Sequence, residues 1–302
     1  MKKICLLLAF CLLLLTAGCK PVSVPQKTDT LKVVTTLFPQ YDFAKTIAGD
    51  AASVTLLLPP GSESHSYEPT PTDMIAINES NLFIYTGETM EGWVTPLLES
   101  LSGTPEILNL SAGLPLTEHE ADKHHHDIDP HVFTNPRFAI MMAQQIEDAL
   151  CRLDPSHAEE FRTRGEALRQ KLTELDDAFR ALAATATHKK LIFGGRFAFL
   201  HFAEEYGFSW DAAYDSCSSE TEPAAAAVAR IMDTVLAEDI PVVYYEELTD
   251  PKVTRLICAE TGAKPLLLHS CHNISKEELE AGVTYLSLME QNLANIKEGV
   301  LS

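Results

Sequence analysis

The sequence predicts an α/β fold in which two βα lobes with mainly parallel sheets are joined by one long backbone helix. Three observations carry that expectation. Apolar or β-branched runs alternate with helical patterns from Leu31 to Leu110, the alternation resumes at Lys189, and a long amphipathic period lies between the two stretches. Strands that alternate with helices indicate βαβ units, whose crossovers leave the strands parallel.

In the first stretch LKVVTTL, VTLLL and LFIY read as strands, and Tyr41 to Ala48, Thr72 to Asn78 and Glu91 to Leu101 as helices. The alternation stops at LTEHEADKHHHD, from Leu116 to Asp127, which is acidic, histidine-rich and has nothing to bury; it reads as a surface loop. Two helices follow. The second takes Asp154 as N-cap and Pro155 as its first residue, and shows apolar side chains at Phe161, Leu168, Leu172, Leu175, Phe179 and Leu182. Continued to Ala184, its roughly 30 residues would span about 45 Å, enough to cross a two-domain protein. Beyond it KKLIF, FSWDAAY, PVVYY and KPLLL read as strands. Helices separate them at Ala198 to Tyr206, Pro223 to Ala237 and Pro251 to Thr261, and a last helix runs from Lys276 to Lys297.

The N-terminus bears on location. Lys2 and Lys3 precede an apolar run from Ile4 to Leu15, which is shorter than the roughly 20 residues a spanning helix needs, and small residues follow it. This is the pattern of a signal peptide, and LTAGC resembles the lipobox of bacterial lipoproteins, in which Cys19 would become the lipid-modified first residue. The expected organisation is a signal peptide at 1–18, a lipidated tether at 19–30, a first lobe at 31–150, a linking helix at 151–186 and a second lobe at 187–302. The protein would then be extracytoplasmic, anchored to the cell membrane by its N-terminal lipid, and monomeric.

A formal charge of −20 argues against nucleic acid and anionic membranes as partners and favours cations. Of seven cysteines, Cys5 and Cys11 leave with the signal and Cys19 is lipidated. The remaining four are too few and scattered for a disulfide framework. Cys151 and Cys258 sit in apolar helical patterns and read as core. Cys217 and Cys271 sit in polar loops, open to a disulfide or to metal ligation.

Three loops could carry metal chemistry. In LLLPPGSESHSYEP a strand ends in a rigid Pro-Pro-Gly turn and His65 follows. In DIDPHVFTNP, His131 follows Asp127 and Asp129, and a carboxylate beside a histidine fixes its tautomer and raises its basicity. In LLLHSCHN, His269 and His272 flank Cys271, so one loop offers two nitrogens and a sulfur, all of which zinc accepts. Taken singly, each histidine could equally be an ordinary turn residue.

The segments PPGSESHSYEP, DPHVFTNP, RFAFLHFAEEYGF, TEPAAAAVA and ETGAKPLLL occur in order along the mature chain. Together they resemble the zinc-binding, and more distantly the manganese-binding, substrate-binding proteins of bacterial ABC metal importers, a family that includes lipoprotein adhesins. The resemblance implies two α/β lobes with metal held in the interlobe cleft, and His65 and His131 as ligands from the first lobe. It also exposes a departure. The family usually supplies a third ligand, histidine or glutamate, where this chain has Arg196, and a protonated guanidinium has no lone pair to offer. The expectation is therefore that the HxxH loop replaces the missing ligands, giving a site of His65, His131, His269 and His272, with Arg196 paired to Asp215 or Glu220. His201 is expected to be a packed helix residue and His157 and His188 surface residues, while His119, His124, His125 and His126 form a weak version of the family's histidine-rich loop.

The function this implies is capture of zinc, as transported ligand, and its delivery to the membrane permease of an ABC importer. Manganese or another divalent metal, or a metal-dependent adhesin, are variants of the same reading. A zinc-dependent hydrolase is the rival of another class, and the lack of an HExxH signature counts against it.

Overall fold

Both lobes follow from short parallel strands whose central members are buried. In the computed structural model the first sheet contains β1 (Leu31–Thr35), β2 (Ala52–Leu56), β3 (Leu82–Tyr85) and β4 (Glu106–Asn109), in the order β2-β1-β3-β4. All pairs are parallel, with Val33 opposite both Val54 and Leu82. Every residue of β3 is buried, as expected of a central strand covered by helices on both sides. Around the sheet stand α1 (Phe38–Ala48), α2 (Pro71–Asn78) and α3 (Val94–Ser100). The structure describes residues 30–116, 129–214 and 223–301; the expected signal peptide, nearly all of the tether including Cys19, and most of the histidine-rich loop lie outside them.

Next come α4 (Pro136–Leu153) and α5 (Ala158–Thr185), then the second sheet. Its strands are β5 (Lys190–Phe193), β6 (Ser209–Ala212), β7 (Val242–Tyr245) and β8 (Lys264–Leu267), in the order β6-β5-β7-β8 and again all parallel. Their helices are α6 (Leu200–Tyr206), α7 (Ala225–Ala237) and α8 (Lys252–Thr261), followed by α9 (Lys276–Glu280) and α10 (Tyr285–Val300). In each sheet the strand order reverses between the two central strands, β1 and β3 or β5 and β7. That reversal leaves a crevice beyond their C-terminal ends.

Helix α5 lies against α1, α4 and α10. Its Phe161, Leu168, Leu172, Leu175, Phe179 and Leu182 are buried in one cluster, which also takes in Val33 and Phe43 from the first lobe and Phe193, Tyr244 and Val300 from the second. Each such side chain contributes about 1.5–3 kcal/mol by leaving water. Residues Leu31 to Ser302 accordingly form one compact unit.

The structure differs from the sequence reading at three places. Helix α5 starts at Ala158, not Pro155, because Asp154 accepts from the Ser156 amide at 3.1 Å and lies 2.6 Å from His157 Nδ1. Such local bonds hold a turn against the helix. The last helix is broken in two: Gly282 adopts a φ of +72°, and Thr284 then caps α10 through a reciprocal bond pair with Ser287. Strand β4, EILN at the sheet edge and half exposed, was not singled out because its alternation is too short and polar to register.

The start of α10 is also joined to the first lobe: the Tyr285 amide donates to Asp42 Oδ2 at 2.9 Å. Burial raises the Asp42 pKa to about 6 despite that bond and Lys45 nearby. Between the unfolded value near 4 and about 6 the folded chain holds more protons than the unfolded one, so this group's contribution to stability falls as pH rises through that window. Asp42→Asn should therefore stabilise the protein by about 2 kcal/mol at pH 7.5 and have little effect near pH 4. Urea melts of both proteins at the two pH values check this; an equal gain at both would contradict it.

Candidate metal centre

Each candidate loop is pinned by its own chemistry before any metal is considered. The His65 loop leaves β2 through Pro59, Pro60 and Gly61, where a φ of +82° calls for glycine, and the Gly61 amide donates to Ile274 O at 2.8 Å. It ends where Thr70 caps α2 in a reciprocal pair with Asp73, whose carboxylate also accepts from Tyr67 OH at 2.7 Å. His131 stands at the entrance to α4, with its carbonyl accepting from Thr134 and with Asn135 capping the helix ahead of Pro136.

The His65 and His131 rings meet edge to face with centroids 5.4 Å apart. His131 is buried, and its Nδ1 lies 3.1 Å from Asp129 Oδ1, which leaves Nε2 as the nitrogen available to a metal. Burial alone would raise the Asp129 carboxyl, but the facing His131 outweighs it and holds the group below its usual range. Burial and the neighbouring His131 push His65 down to about 4, so its imidazole is neutral near pH 7 and able to ligate.

The second lobe supplies a matching arrangement. His272 Nδ1 lies 3.1 Å from Glu247 Oε1 and beside the Ser270 hydroxyl, which itself donates to Glu247. Burial works against charge on His272 and Glu247 alike, yet Glu247 raises His272, and His269 first and then His272 lower Glu247. The loop is stitched to the first lobe by Asn273, fully buried, whose amide donates to Pro59 O at 2.9 Å and Ser62 O at 2.8 Å.

His65, His131 and His272 line one cavity of about 110 Å³, together with Glu63, Arg196 and Glu247. A single water needs roughly 10–15 Å³ by this measure, so there is room for an ion with part of its hydration shell. Among the described residues no three His, Cys, Asp or Glu side chains are already grouped to hold a metal. The convergence is pairwise, and closing it requires side-chain movement.

His269 does not line this cavity. Its amide and carbonyl are held by the Asn292 side chain at 2.8 Å each, its Nδ1 accepts from the Cys271 amide at 3.0 Å, and its ring is buried. The strand end turns the ring into the protein, and the strained Cys271, at φ +70°, then turns the chain so that His272 faces the cleft. Arg196 has Glu63 of the first lobe as a partner, Nη1 to Oε2 at 3.3 Å, while Asp215 and Glu220 lie outside the described residues. Cys217 lies outside them too. Cys271 is a free buried thiol whose pKa is pushed well up by burial, a poor ligand. As expected, His201 is packed, its Nε2 donating to Asp129 O at 2.8 Å. Sequence reading passed over Glu63 and Glu247, although a Glu-Glu pair directly after PVVYY was a usable signal.

Comparison with known proteins adds the following. Residues 33–299 match the family described as "ZnuA: Zinc-uptake complex component A periplasmic". The high-affinity zinc uptake system protein ZnuA of Bacillus subtilis is 33% identical over 92% of this chain and 90% of its own length. The zinc-binding lipoprotein AdcA of Streptococcus pneumoniae is 33% identical over 99% of this chain, which spans 61% of AdcA. Among solved structures, the metal-dependent lipoprotein YcdH of Bacillus subtilis superposes with a TM-score of 0.80 at 33% identity, covering 90% of this chain and all of that one. The Zn(II)-bound ZnuA-like domain of S. pneumoniae AdcA gives 0.78 at 31% identity, again over 90% of this chain and all of that one.

The two histidines of the HxxH loop should separate by experiment. If zinc binding worth roughly 10 kcal/mol is shared by three or four ligands, each contributes about 2.5 kcal/mol, or near 100-fold in affinity. His272→Ala should show that loss of zinc affinity. His269→Ala should leave zinc affinity within a few-fold and instead destabilise the fold by about 1–3 kcal/mol, since it opens a cavity and orphans the Cys271 amide. Zinc titration calorimetry and thermal melts of both variants check this, and the reverse pattern would return His269 to the ligand set.

Proposed function

The chain belongs to the ZnuA family of periplasmic components of zinc-uptake complexes, and on that footing we propose that it captures zinc outside the cytoplasm and delivers it to the permease of an ABC importer. The observation that supports this most is a pair of carboxylate-oriented imidazoles, one from each lobe, sharing a cavity with a third, neutral one. In this reading His65, His131 and His272 are the ligands, Asp129 and Glu247 orient the last two, and the fourth position is taken by solvent. Three nitrogen donors suit zinc, and the carboxylates that manganese favours are engaged elsewhere.

Capture without catalysis fits the same residues. A zinc-bound water becomes a nucleophile when a base can take its proton. Glu247 is occupied by Ser270 and His272, and Glu63 by the His65 amide and Arg196. The rest of the reading concerns the ends of the chain: Cys19 carries the lipid, the polar segment to residue 30 is the tether, 31–150 and 187–302 are the lobes that the helix within 151–186 joins, and the folded body acts as a monomer.

Calorimetry should give one zinc per chain, manganese binding far more weakly, and loss of zinc binding in His131→Ala. Cells lacking the chain should stop growing when zinc is chelated and recover with added zinc or the wild-type gene, but not with the His131→Ala gene; unimpaired growth of the deletion would count against the reading. Arg196→His should supply a further imidazole and tighten zinc binding by about tenfold or more. Weaker binding in that variant would mean that Arg196 does not adjoin the ion.

A further inference from the structure

A second cavity opens beside the first, at the point where strand order reverses between β5 and β7. It has a volume of about 200 Å³ and is walled by Gly194, Gly195 and Arg196 beyond β5, Glu246 beyond β7, and Lys252 and Thr254 at the start of α8. Crevices at such switch points are where open parallel sheets receive ligands. Small-molecule pockets run from about 300 Å³ upward, so the occupant here is small.

Thr254 is the informative residue. It is 1% exposed, lines the cavity, and its hydroxyl makes no hydrogen bond among the described residues. A buried hydroxyl left without a partner is costly, and turning it toward the cavity it adjoins would let an acceptor there satisfy it. The opening turn of the ten-residue α8 also leaves amide groups without intrahelical acceptors, and its dipole favours a negative group there. The glycine pair keeps the wall close: a Cβ on Gly194 would fall 2.4 Å from the Thr254 hydroxyl, and one on Gly195 would strike the Glu246 carboxylate.

The first lobe shows what the same crevice accepts. Beyond β1 and β3 it is filled by the chain's own Glu91, 1% exposed, whose carboxylate takes the Thr86 and Gly87 amides at 3.0 Å each and the Thr36 hydroxyl at 2.5 Å. In the second lobe the lining carries two basic side chains, Arg196 and Lys252, and two acidic ones, Glu246 and Asp250. Arg255 and Lys252 lie on the Asp250 carboxylate, and the Arg196 amide donates to Glu246. A bare anion would face carboxylates and a bare cation would face the helix start, whereas an occupant with one charge of each sign meets both.

We propose that this crevice binds a small α-amino acid zwitterion, its carboxylate on the Thr254 hydroxyl and the start of α8 near Lys252, and its ammonium on Glu246. The site uses none of the histidines and does not depend on the zinc reading, although Arg196, Glu246 and Thr249 line both cavities.

The test is calorimetry on the zinc-free full chain with each of the twenty amino acids, and with acetate and methylammonium as single-charge controls. At least one amino acid should bind one to one, with neither control binding. Thr254→Val, which removes the hydroxyl at constant shape, should weaken that binding about tenfold, as should Lys252→Ala at an exposed position. Thr254→Val should also keep or raise the melting temperature, since it deletes a polar group that has no partner. Absence of binding by every amino acid, equal binding by acetate, or unchanged affinity in both variants overturns the proposal. Zinc titrations of the same two variants are run separately, so that failure here and failure of zinc capture are told apart.

Discussion

A single apolar face on α5 makes the two sheets one body. Phe161 and Leu168 share a cluster with side chains of the first sheet, and Phe179 and Leu182 belong to the same cluster as side chains of the second, so apolar packing runs from one lobe into the other. Swinging them apart would return several such residues to water at about 1.5–3 kcal/mol each. Smaller ties act in the same sense: the Tyr285 hydroxyl donates to Phe133 O at 2.7 Å, and the buried Asn273 amide spans the two ligand loops. The cleft is thus shaped before any ion arrives, and the freedom needed for capture belongs to side chains and loops rather than to a hinge.

Within that frame the candidate centre repeats one device in each lobe. Asp129 takes the inner nitrogen of His131, and Glu247 takes that of His272, so in both cases the outer nitrogen is turned toward the shared cavity. The imidazoles lining the cavity are not equivalent electrically. His272 is biased toward its protonated form by a fully buried carboxylate that outweighs burial, whereas His65 is biased toward its neutral form by burial and then by His131. An incoming dication therefore meets less competition from protons at His65 than at His272.

The fold was legible because long-range organisation is written in local periodicity: alternating runs named seven of the eight strands, and the amphipathic period of α5 named the helix that holds the lobes together. What escaped was decided by short-range competition. Asp154 diverted three residues from a helix, Gly282 cut another in two, and β4 was too brief and polar to stand out. At the site, His65 and His131 were legible from motif and context. The choice between His269 and His272 was not, because it depends on which way the chain turns after β8, and that is set by Asn292 and by a left-handed Cys271 that spacing does not reveal. Glu63 as partner of Arg196 was hidden for a similar reason, since it joins residues 133 apart in sequence.

That last contact bears on how long an ion stays as well as on how tightly it is held. Arg196 keeps a fixed positive charge at the wall of a cavity meant for a dication, balanced by Glu63 at 3.3 Å. A cation standing where a ligand could stand both removes a bond and adds repulsion, and within one binding site such changes are expressed mainly in how fast the bound species leaves. A carrier has to let go as well as hold. With Arg196 in its wall, the cavity carries a fixed charge that shortens the stay of a cation relative to a wall with a neutral donor at that position.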